Sequence, residues 1–456
     1  MLKQIKAIAA GFAGLCAATS AAQIGPDVIV AEITGPSKWG SINGMTAYSL
    51  GTTSCNIGDE DLLWDDELFD GTPANLHPVI AQNIFMISND RITQIGQSWL
   101  KHGFLALNLN GICGFACDQA PSNNFLGPGC YDPYSSGLNG SQGGLGAKFE
   151  VNAATGEYPW PFTGDGTGGN ALFKRIQVEN SKLNPSQNPG ARYFAEGHYI
   201  TPDDAAAGND NNNASYREMS VGGFNNGYNL NFAGDTVRGK PAILAWADID
   251  ASVEAIAVDI EDDGRFWVAY KVIDNGDGTF RYEFAVQNLS SHLSAASFSV
   301  PVGDGVTITN VGFSDIGYHS GEPFNSIDWT TAESSGGLTW SVTESFQQNQ
   351  NANALRWGTL YNFWFDADSA PEAGSGQIGL FRPTDSPEVP VEMVGPAAIP
   401  TDCLADVNMD NTLDGGDFFA WVNAFSENLP GCDQNGDEVC DQGDFFAWVA
   451  NFGAGC

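Results

Sequence analysis

The residues best suited to chemistry in this chain are oxygen-bearing side chains that occur twice near its C-terminus, at the spacing of a calcium loop. Ca²⁺ takes about six to eight oxygens, and a loop of about 12 residues provides them from positions 1, 3, 5, 9 and 12, with a backbone carbonyl from position 7. The first loop fills these six positions with Asp406, Asn408, Asp410, Thr412, Asp414 and Asp417. The second loop fills them with Asp433, Asn435, Asp437, Val439, Asp441 and Asp444. The repetition of the whole ligand pattern predicts two Ca²⁺ sites.

An apolar pattern of helical spacing follows each loop and predicts a short helix with one apolar stripe. The stripe residues are Phe418, Trp421, Val422 and Phe425 after the first loop, and Phe445, Trp448, Val449 and Phe452 after the second. Helices this short are marginal alone, so we expect the two to pack face to face in a module whose folding depends on calcium. The alternative is a pair of solvated acidic turns before two core helices.

Phe419 and Phe446 each lie one residue away from the predicted stripe. They are therefore expected to face outward as two symmetric apolar points, a candidate partner-binding surface. The alternative is that the two helices bury both faces.

These repeats resemble a dockerin, because each has Asp at the twelfth loop position and no helix before the loop. Cys403 just upstream and the terminal Gly455-Cys456 are similar to the variant called the GC-type dockerin. The resemblance covers residues 402–456. It implies a calcium-binding module that attaches a secreted protein to a partner or to the cell surface, with Cys456 as a candidate anchoring residue.

Two features depart from the family pattern. Cellulosomal dockerins tend to have hydroxyl residues at loop positions 10 and 11, whereas this chain has Gly415-Gly416 and Gln442-Gly443, which argues against a cohesin partner. Position 6 of the second loop is Glu438, where the sharp turn prefers Gly or Asn. We therefore expect the first site to bind Ca²⁺ more tightly than the second.

The N-terminus has the order of a secretory signal peptide over residues 1–22. Lys3 and Lys6 precede an apolar stretch, and the small residues Ser20-Ala-Ala22 favour cleavage after Ala22. Leu15 before Cys16 disfavours a lipoprotein signal. Cleavage leaves 16 basic against 55 acidic residues, a net charge of −39. This charge repels nucleic acid and favours divalent cations. No other stretch is long and apolar enough for a membrane span.

The cysteines of the mature chain form two sets of four, and even counts in a secreted protein predict disulfides. The body set is Cys55, Cys113, Cys117 and Cys130, and the C-terminal set is Cys403, Cys432, Cys440 and Cys456. Each set allows three pairings. For the C-terminal set, the expected pseudo-twofold packing of the repeats favours Cys403 with Cys456 and Cys432 with Cys440.

The body is predicted to be mainly β. Residues 266–272 and 280–286 alternate around an Asp274-Asn-Gly-Asp-Gly278 turn and predict a hairpin, as do residues 84–88 and 91–95 around Asn89-Asp90. Other candidate strands are 171–178, 192–200, 243–247, 253–260, 296–302, 305–314, 338–343, 354–365 and 376–381. The predicted organisation is a loop-rich, disulfide-bonded β domain over 23–240, a β-sandwich over 241–382, a Pro-rich linker over 383–401 and the calcium module.

No sequence motif of a known catalytic mechanism is present, so no catalytic residue is assigned. Asp315, His319 and Glu322 could form a polar site, and residues 203–213 could line another cation site with oxygen ligands. The alternatives are a hydrogen-bonded loop histidine and a polar surface turn. The other histidines are His77, His102, His198 and His292. Six tryptophans could stack sugar rings if exposed, but strand alternation favours the core for Trp246, Trp267, Trp329, Trp340, Trp357 and Trp364.

The sequence therefore favours a secreted, surface-attached protein whose module binds two Ca²⁺ ions and mediates anchoring or assembly. The expected partner is a cell-surface or scaffold protein, and the all-β body binds or builds extracellular structure, possible ligands including polysaccharide. The alternative is an extracellular polysaccharide-active enzyme of the glycoside hydrolase class that carries a dockerin-like anchor. A groove with two exposed carboxylates, lined by the tryptophans, would favour the enzyme.

Overall fold

The structure is a computed structural model that describes residues 23–68, 70–163, 169–334, 336–398, 403–410, 412–437 and 439–454. The predicted signal peptide lies outside the described residues. The strands of the first half are β1 Val28–Ile42, β2 Met45–Asn56, β3 Leu62–Leu63, β4 Asp65–Glu67, β5 Pro73–Leu76, β6 Val79–Ser88, β7 Arg91–Gln97, β8 Leu100–His102, β9 Leu109–Asn110, β10 Phe125–Leu126, β11 Cys130–Tyr134, β12 Leu145–Gly146, β13 Ile176–Glu179, β14 Arg192–Ile200, β15 Ala214–Phe224 and β16 Tyr228–Phe232. The short helices of the body are α1 Ser136–Asn139, α2 Pro202–Ala207 and α3 Leu244–Ile249.

Two antiparallel sheets organise the first half. One has the order β1-β2-β11-β9 with β13 also on β2, and the other has the order β12-β8-β6-β14-β15-β16 with β7 on β6. Asn43 and Gly44 have positive φ, as a tight hairpin turn requires, and join β1 to β2. The facing surfaces bury one core that includes Val30, Tyr48 and Tyr199. The loop-rich prediction thus misses two large sheets, although residues 135–175 are sparse in strands.

The second half folds into two five-stranded antiparallel sheets. Its strands are β17 Glu254–Asp259, β18 Arg265–Asp274, β19 Phe280–Asn288, β20 Ala295–Pro301, β21 Ile308–Ser314, β22 Thr330–Ser334, β23 Gly337–Ser341, β24 Thr359–Ala367, β25 Pro371–Leu380 and β26 Glu388–Pro396. The sheet orders are β17-β18-β19-β24-β21 and β22-β23-β20-β25-β26. Phe298 of the second sheet contacts Phe284 and Phe363 of the first, with ring centroids 5.7 and 4.9 Å apart. The sheets therefore pack face to face around an aromatic core.

Two predictions for this half are wrong. Residues 388–396, assigned to the linker, form β26 and pair with β25 at the edge of the sheet. An edge strand tolerates proline because one side of it needs no backbone donor, which is why Pro390 and Pro396 fit there. Residues 243–247, assigned to a strand, lie mainly in helix α3. A short apolar run does not distinguish a buried strand from a buried helix.

The two halves share a core across the predicted boundary at residue 240. One buried cluster combines Phe85 and Phe194 of the first half with Trp246 and Leu360 of the second. Gln94 of β7 accepts a hydrogen bond from the Leu360 backbone at 2.8 Å and donates one to the Gly358 carbonyl at 3.2 Å. These halves are therefore packed parts of one body, since buried polar contacts and apolar packing both cross the boundary.

The C-terminal module consists of two loops, each followed by a helix. The helices are α4 Gly415–Glu427 and α5 Gln442–Ala454, of 13 residues each, as the two apolar stripes predicted. The module has its own small core, in which Ala405, Trp421 and Trp448 are buried.

Candidate functional site

The first acidic loop is closed by the carboxylate of its twelfth residue. Asp417 is fully buried and accepts hydrogen bonds from the backbone N–H groups of Asn408 at 3.4 Å and Asp414 at 2.9 Å. Asp414 in turn caps helix α4 by accepting from Gly416 N at 2.6 Å. The twelfth position thus connects the start of the loop to the start of the helix.

The second loop repeats this arrangement. Asp444 is fully buried and accepts from the backbone N–H groups of Gln434 at 2.9 Å, Asn435 at 3.3 Å and Asp441 at 2.8 Å. Asp441 accepts from Gly443 N at 2.6 Å. Equivalent residues of the two repeats therefore make equivalent bonds, as the sequence repeat predicts.

The intermediate loop positions turn the backbone with their side chains. Asp406 and Asn408 both accept from the Asp410 backbone N–H, at 3.1 and 2.9 Å, and Asp410 accepts from Thr412 N at 2.9 Å. In the second loop, Asp433 and Asn435 accept from Asp437 N at 3.2 and 2.9 Å, and Asp437 accepts from Val439 N at 2.9 Å. Turns of this kind place successive oxygen-bearing side chains around one loop.

The donor chemistry of both loops fits Ca²⁺. Side-chain carboxylate and amide oxygens, together with the backbone carbonyls of Thr412 and Val439, are the ligands this hard cation prefers. Residues 403–456 contain ten Asp or Glu residues and no Lys, Arg or His, so no basic side chain of this segment can balance the charge. In the described part of the chain, no three Asp, Glu, His or Cys side chains are grouped closely enough to hold a metal. We therefore expect the ligand side chains to close around Ca²⁺ when it binds.

The two helices pack through a symmetric aromatic core. The rings of Trp421 and Trp448 stack 6.2 Å apart, Phe418 contacts Trp448 at 5.4 Å and Phe445 contacts Trp421 at 5.5 Å. Each indole N–H also donates across to the other repeat, from Trp421 to Cys432 O and from Trp448 to Ala405 O, both at 3.2 Å. Each tryptophan thus holds the residue before the opposite loop. This coupling makes the two loops one folding unit.

Phe419 and Phe446 lie outside this core and are 74% and 62% exposed. Phe419 contacts Phe418 at 6.0 Å and Phe446 contacts Phe445 at 5.8 Å, so a continuous row of aromatic rings crosses the helix pair and ends in solvent on both sides. The predicted stripe is buried at its tryptophans but not throughout, because Val422 and Val449 are 42% and 48% exposed.

The cysteines form three of the possible disulfides within the described residues. Cys55 pairs with Cys113, Cys117 with Cys130, and Cys432 with Cys440, the last as predicted. Cys403 is also disulfide-bonded. Its predicted partner and candidate anchor, Cys456, lies outside the described residues, as does Glu438.

The polar site suggested by Asp315, His319 and Glu322 does not form. The Asp315 carboxylate accepts from Asn353 Nδ2 at 2.5 Å, whereas the His319 ring contacts the Arg175 carbonyl and, at 3.2 Å, Ser320 Oγ. Burial raises the pKa of Glu322 to about 7, with the charge of Lys148 opposing this rise. His319 is therefore a buried structural histidine.

Four of the six tryptophans that could stack sugar rings are buried in the body, and Trp267 and Trp364 are half-buried. Trp246, Trp329, Trp340 and Trp357 are at most 5% exposed, and the Trp364 ring lies beneath the Arg91 guanidinium at 3.7 Å. The core assignment of these four is therefore confirmed.

Comparison with known proteins gives no family for the chain. No family model and no curated protein matches it. Among solved structures, the N-terminal domain of an adhesin from Streptococcus gordonii is similar over 77% of this chain and 62% of that domain, with 8% sequence identity and a TM-score of 0.18. A score this low carries no argument. Within the described ranges, none of the helices has both the length and the apolar character needed to span a bilayer.

Proposed function

We propose that this is a secreted, surface-attached protein whose C-terminal module binds two Ca²⁺ ions and mediates anchoring or assembly, while the all-β body binds or builds extracellular structure. The observation that carries the proposal is the pair of buried carboxylates, Asp417 and Asp444, in a segment with no basic residue. A buried carboxylate is stable only when its charge is balanced or well hydrogen-bonded. Backbone N–H groups supply part of that stabilisation, and a cation supplies the rest.

An attachment role is supported by the exposed aromatic pair. Phe419 and Phe446 are related by the sequence repeat, and both ends of the aromatic row are presented by helices that begin at the calcium loops. Calcium binding would therefore order the surface that meets the partner. Large exposed aromatics on a small module are typical of an interface.

A secreted location is supported by the disulfides of both the body and the module. Disulfides persist in oxidising compartments and are rare in the cytosol. The expected partner is a cell-surface or scaffold protein.

The surface cleft that contains Glu283 does not favour the glycoside hydrolase alternative. Such an enzyme needs two carboxylates free to face a sugar, one of them as acid. Glu283, which lines a surface cleft of the body, is 3% exposed and bonded to Arg91 at 2.7 Å and Arg281 at 2.6 Å. It is therefore held as a structural ion pair.

Calorimetric titration with Ca²⁺ tests the metal assignment on the full chain. The Asp417→Ala/Asp444→Ala variant should bind two fewer Ca²⁺ ions than the unchanged protein, because both loops lose the residue that closes them. Glu427→Gln is the matched control, since it removes an exposed acid of the same module outside the loops. Equal stoichiometry in the double variant and the unchanged protein would refute the assignment.

Cosedimentation with a cell-envelope fraction from the producing organism tests attachment. Binding should require Ca²⁺ and should be lost in Phe419→Ser/Phe446→Ser, while that variant still takes up calcium. Phe224→Ser is the control, because Phe224 is a 59% exposed phenylalanine of the body. Unchanged attachment of the double variant would exclude the aromatic pair as the partner surface.

A further inference from the structure

A second group of buried oxygens lies in the body, where the start of β1 meets helix α2 and the turn Asp210–Asn212. Asp27, Asp204 and Asn213 are fully buried there. Asn209 fixes the chain crossing by donating from Nδ2 to the carbonyls of Ile24 at 3.0 Å and Pro26 at 2.9 Å. This crossing joins residues almost 200 positions apart in the sequence.

The two amide side chains are oriented by the carboxylates. Asn212 Nδ2 donates to Asp27 Oδ2 at 3.2 Å, and Asn213 Nδ2 donates to Asp204 Oδ2. Asp204 Oδ1 accepts from the Val28 backbone N–H at 3.4 Å, which places the two carboxylates next to each other. Since each amide uses its nitrogen to donate to a carboxylate, its oxygen remains available to accept or to act as a ligand.

Three buried oxygens of this group have no hydrogen-bond donor. They are Asp27 Oδ1, Asn212 Oδ1 and Asn213 Oδ1. Among the ion pairs of the described residues, none involves Asp27 or Asp204. Two buried carboxylates without a cation and three oxygens without a donor are costly, because each loses its hydration.

We propose that Asp27, Asp204, Asn212 and Asn213 bind a third Ca²⁺ ion, separate from the two sites of the C-terminal module. A proton shared by the carboxylates would give one donor and leave two of the three oxygens unsatisfied. A divalent cation coordinated by these oxygens would satisfy all three and balance both charges. The set contains only oxygen ligands and neither His nor Cys, which selects Ca²⁺ over zinc or copper.

This ion would connect the N-terminal end of β1 to the α2 region. Its role is therefore structural and its effect falls on the body, whereas the module sites act on α4 and α5. The inference stands whether or not the module binds calcium.

Native mass spectrometry and calcium titration of the full chain separate the three sites. The unchanged protein should bind three Ca²⁺ ions. The variant Asp417→Ala/Asp444→Ala should bind one, and adding Asp204→Asn to that variant should leave none. One ion in both the unchanged protein and the double variant would mean that the module fails while the body site holds. In the Asp417→Ala/Asp444→Ala background, Asp27→Asn should weaken Ca²⁺ binding at the remaining site by at least about 10-fold, because the loss of a direct ligand should cost no less than the loss of a residue that supports a ligand.

Thermal unfolding of the body distinguishes a cation from a proton. Ca²⁺ should raise the melting temperature of the double variant, and Asp204→Asn should abolish this rise. Asp262→Asn, at an exposed turn position, should leave it unchanged. The proposal is overturned if Asp417→Ala/Asp444→Ala binds no Ca²⁺. Stabilisation of that variant by Asp204→Asn would then show that the site prefers an uncharged side chain. If Asp204→Asn fails to fold, the affinity of Asp27→Asn decides.

Discussion

The body and the C-terminal module balance their acidic side chains in different ways. In the body, Glu283 is held between Arg91 and Arg281, and Lys271 joins Asp90 at 2.6 Å to Asp250 at 2.8 Å. The module has no basic residue from Cys403 onward. The body therefore carries much of its own counter-charge, whereas the described module has no basic side chain to supply any. Under the proposed function, the folding of the module depends on calcium far more than the folding of the body does.

The body also buries a larger apolar core than the module does. The sandwich buries a continuous cluster that includes Phe284, Phe363 and Trp340, each at most 1% exposed. Among the described residues of the module, the large apolar side chains that are buried are Trp421 and Trp448. A unit of about 50 residues rarely gains enough from apolar burial alone to fold, so it needs metal or disulfide support.

Removal of calcium should give the largest effect and should affect the two regions unequally. Chelation with EDTA should unfold the module and leave the β-sheet spectrum of the body in place at room temperature. Ca²⁺ at a thousand times its dissociation constant contributes about 4 kcal/mol for each site. Near-ultraviolet circular dichroism from the stacked Trp421 and Trp448 reports on the module. An unchanged signal in EDTA would show that the module folds without metal.

Truncation of a buried tryptophan should have the next largest effect. Trp448→Ala should cost about 3–5 kcal/mol, as large-to-small core changes do. In the module this loss should appear as weaker calcium binding at both loops, because Trp448 holds Ala405 before the first loop. Trp340→Ala is the matched change in the sandwich and should lower body stability without changing calcium affinity. Unchanged affinity in Trp448→Ala would separate metal binding from helix packing.

The turns of the fold could be predicted where their residues are diagnostic. Asn89 and Asp90 have the positive φ that a tight hairpin requires, and β6 and β7 flank them as predicted. Asn43-Gly44 gives the same signal, but β1 was missed. Gly35-Pro36 interrupts its alternation, and the register shifts at three bulges. Local turn chemistry is therefore visible in the sequence even where strand periodicity is not.

More could be predicted of the calcium loops than of the candidate site in the body, because the loops depend on local sequence and the body site does not. A calcium loop draws its ligands from about 12 consecutive residues, so spacing alone identifies them. The body site joins Asp204 to the chain beside Asp27, a contact over 176 positions. The oxygen-rich residues 203–213 indicated half of that site. The other half depends on a chain crossing that tertiary packing alone determines.

Loss of the disulfide in the second loop should have a smaller effect, confined to the module. Cys432–Cys440 closes a span of 8 residues, and its removal should cost about 2–3 kcal/mol by chain entropy. If calcium folds the module, Cys432→Ser/Cys440→Ser should raise the calcium midpoint by about 30- to 150-fold. Calcium titration monitored by tryptophan fluorescence measures this. A midpoint within twofold of the unchanged protein would show that the loop is already ordered without the bridge.

The smallest effect should be the pH dependence of the stability of the body. Burial raises the pKa of Glu322 from 4.5 to about 7, although nearby Lys148 opposes the rise. Between these values the folded protein keeps a proton that the unfolded chain has released, so the contribution of Glu322 to stability falls as pH rises from 4.5 to 7. Glu322→Gln should therefore reduce the change in unfolding free energy across this pH range.

Urea unfolding of the body across that pH range, in saturating Ca²⁺, measures the difference between the two proteins. Glu372→Gln, an exposed acid on β25, is the control and should run parallel to the unchanged protein. A Glu322→Gln curve parallel to the unchanged protein would mean that Glu322 ionises alike in both states. Lys148 would then balance its charge as Arg91 and Arg281 balance Glu283. A flattened curve would instead show that the body stabilises its buried carboxyl groups with protons as well as with basic side chains, which the module lacks.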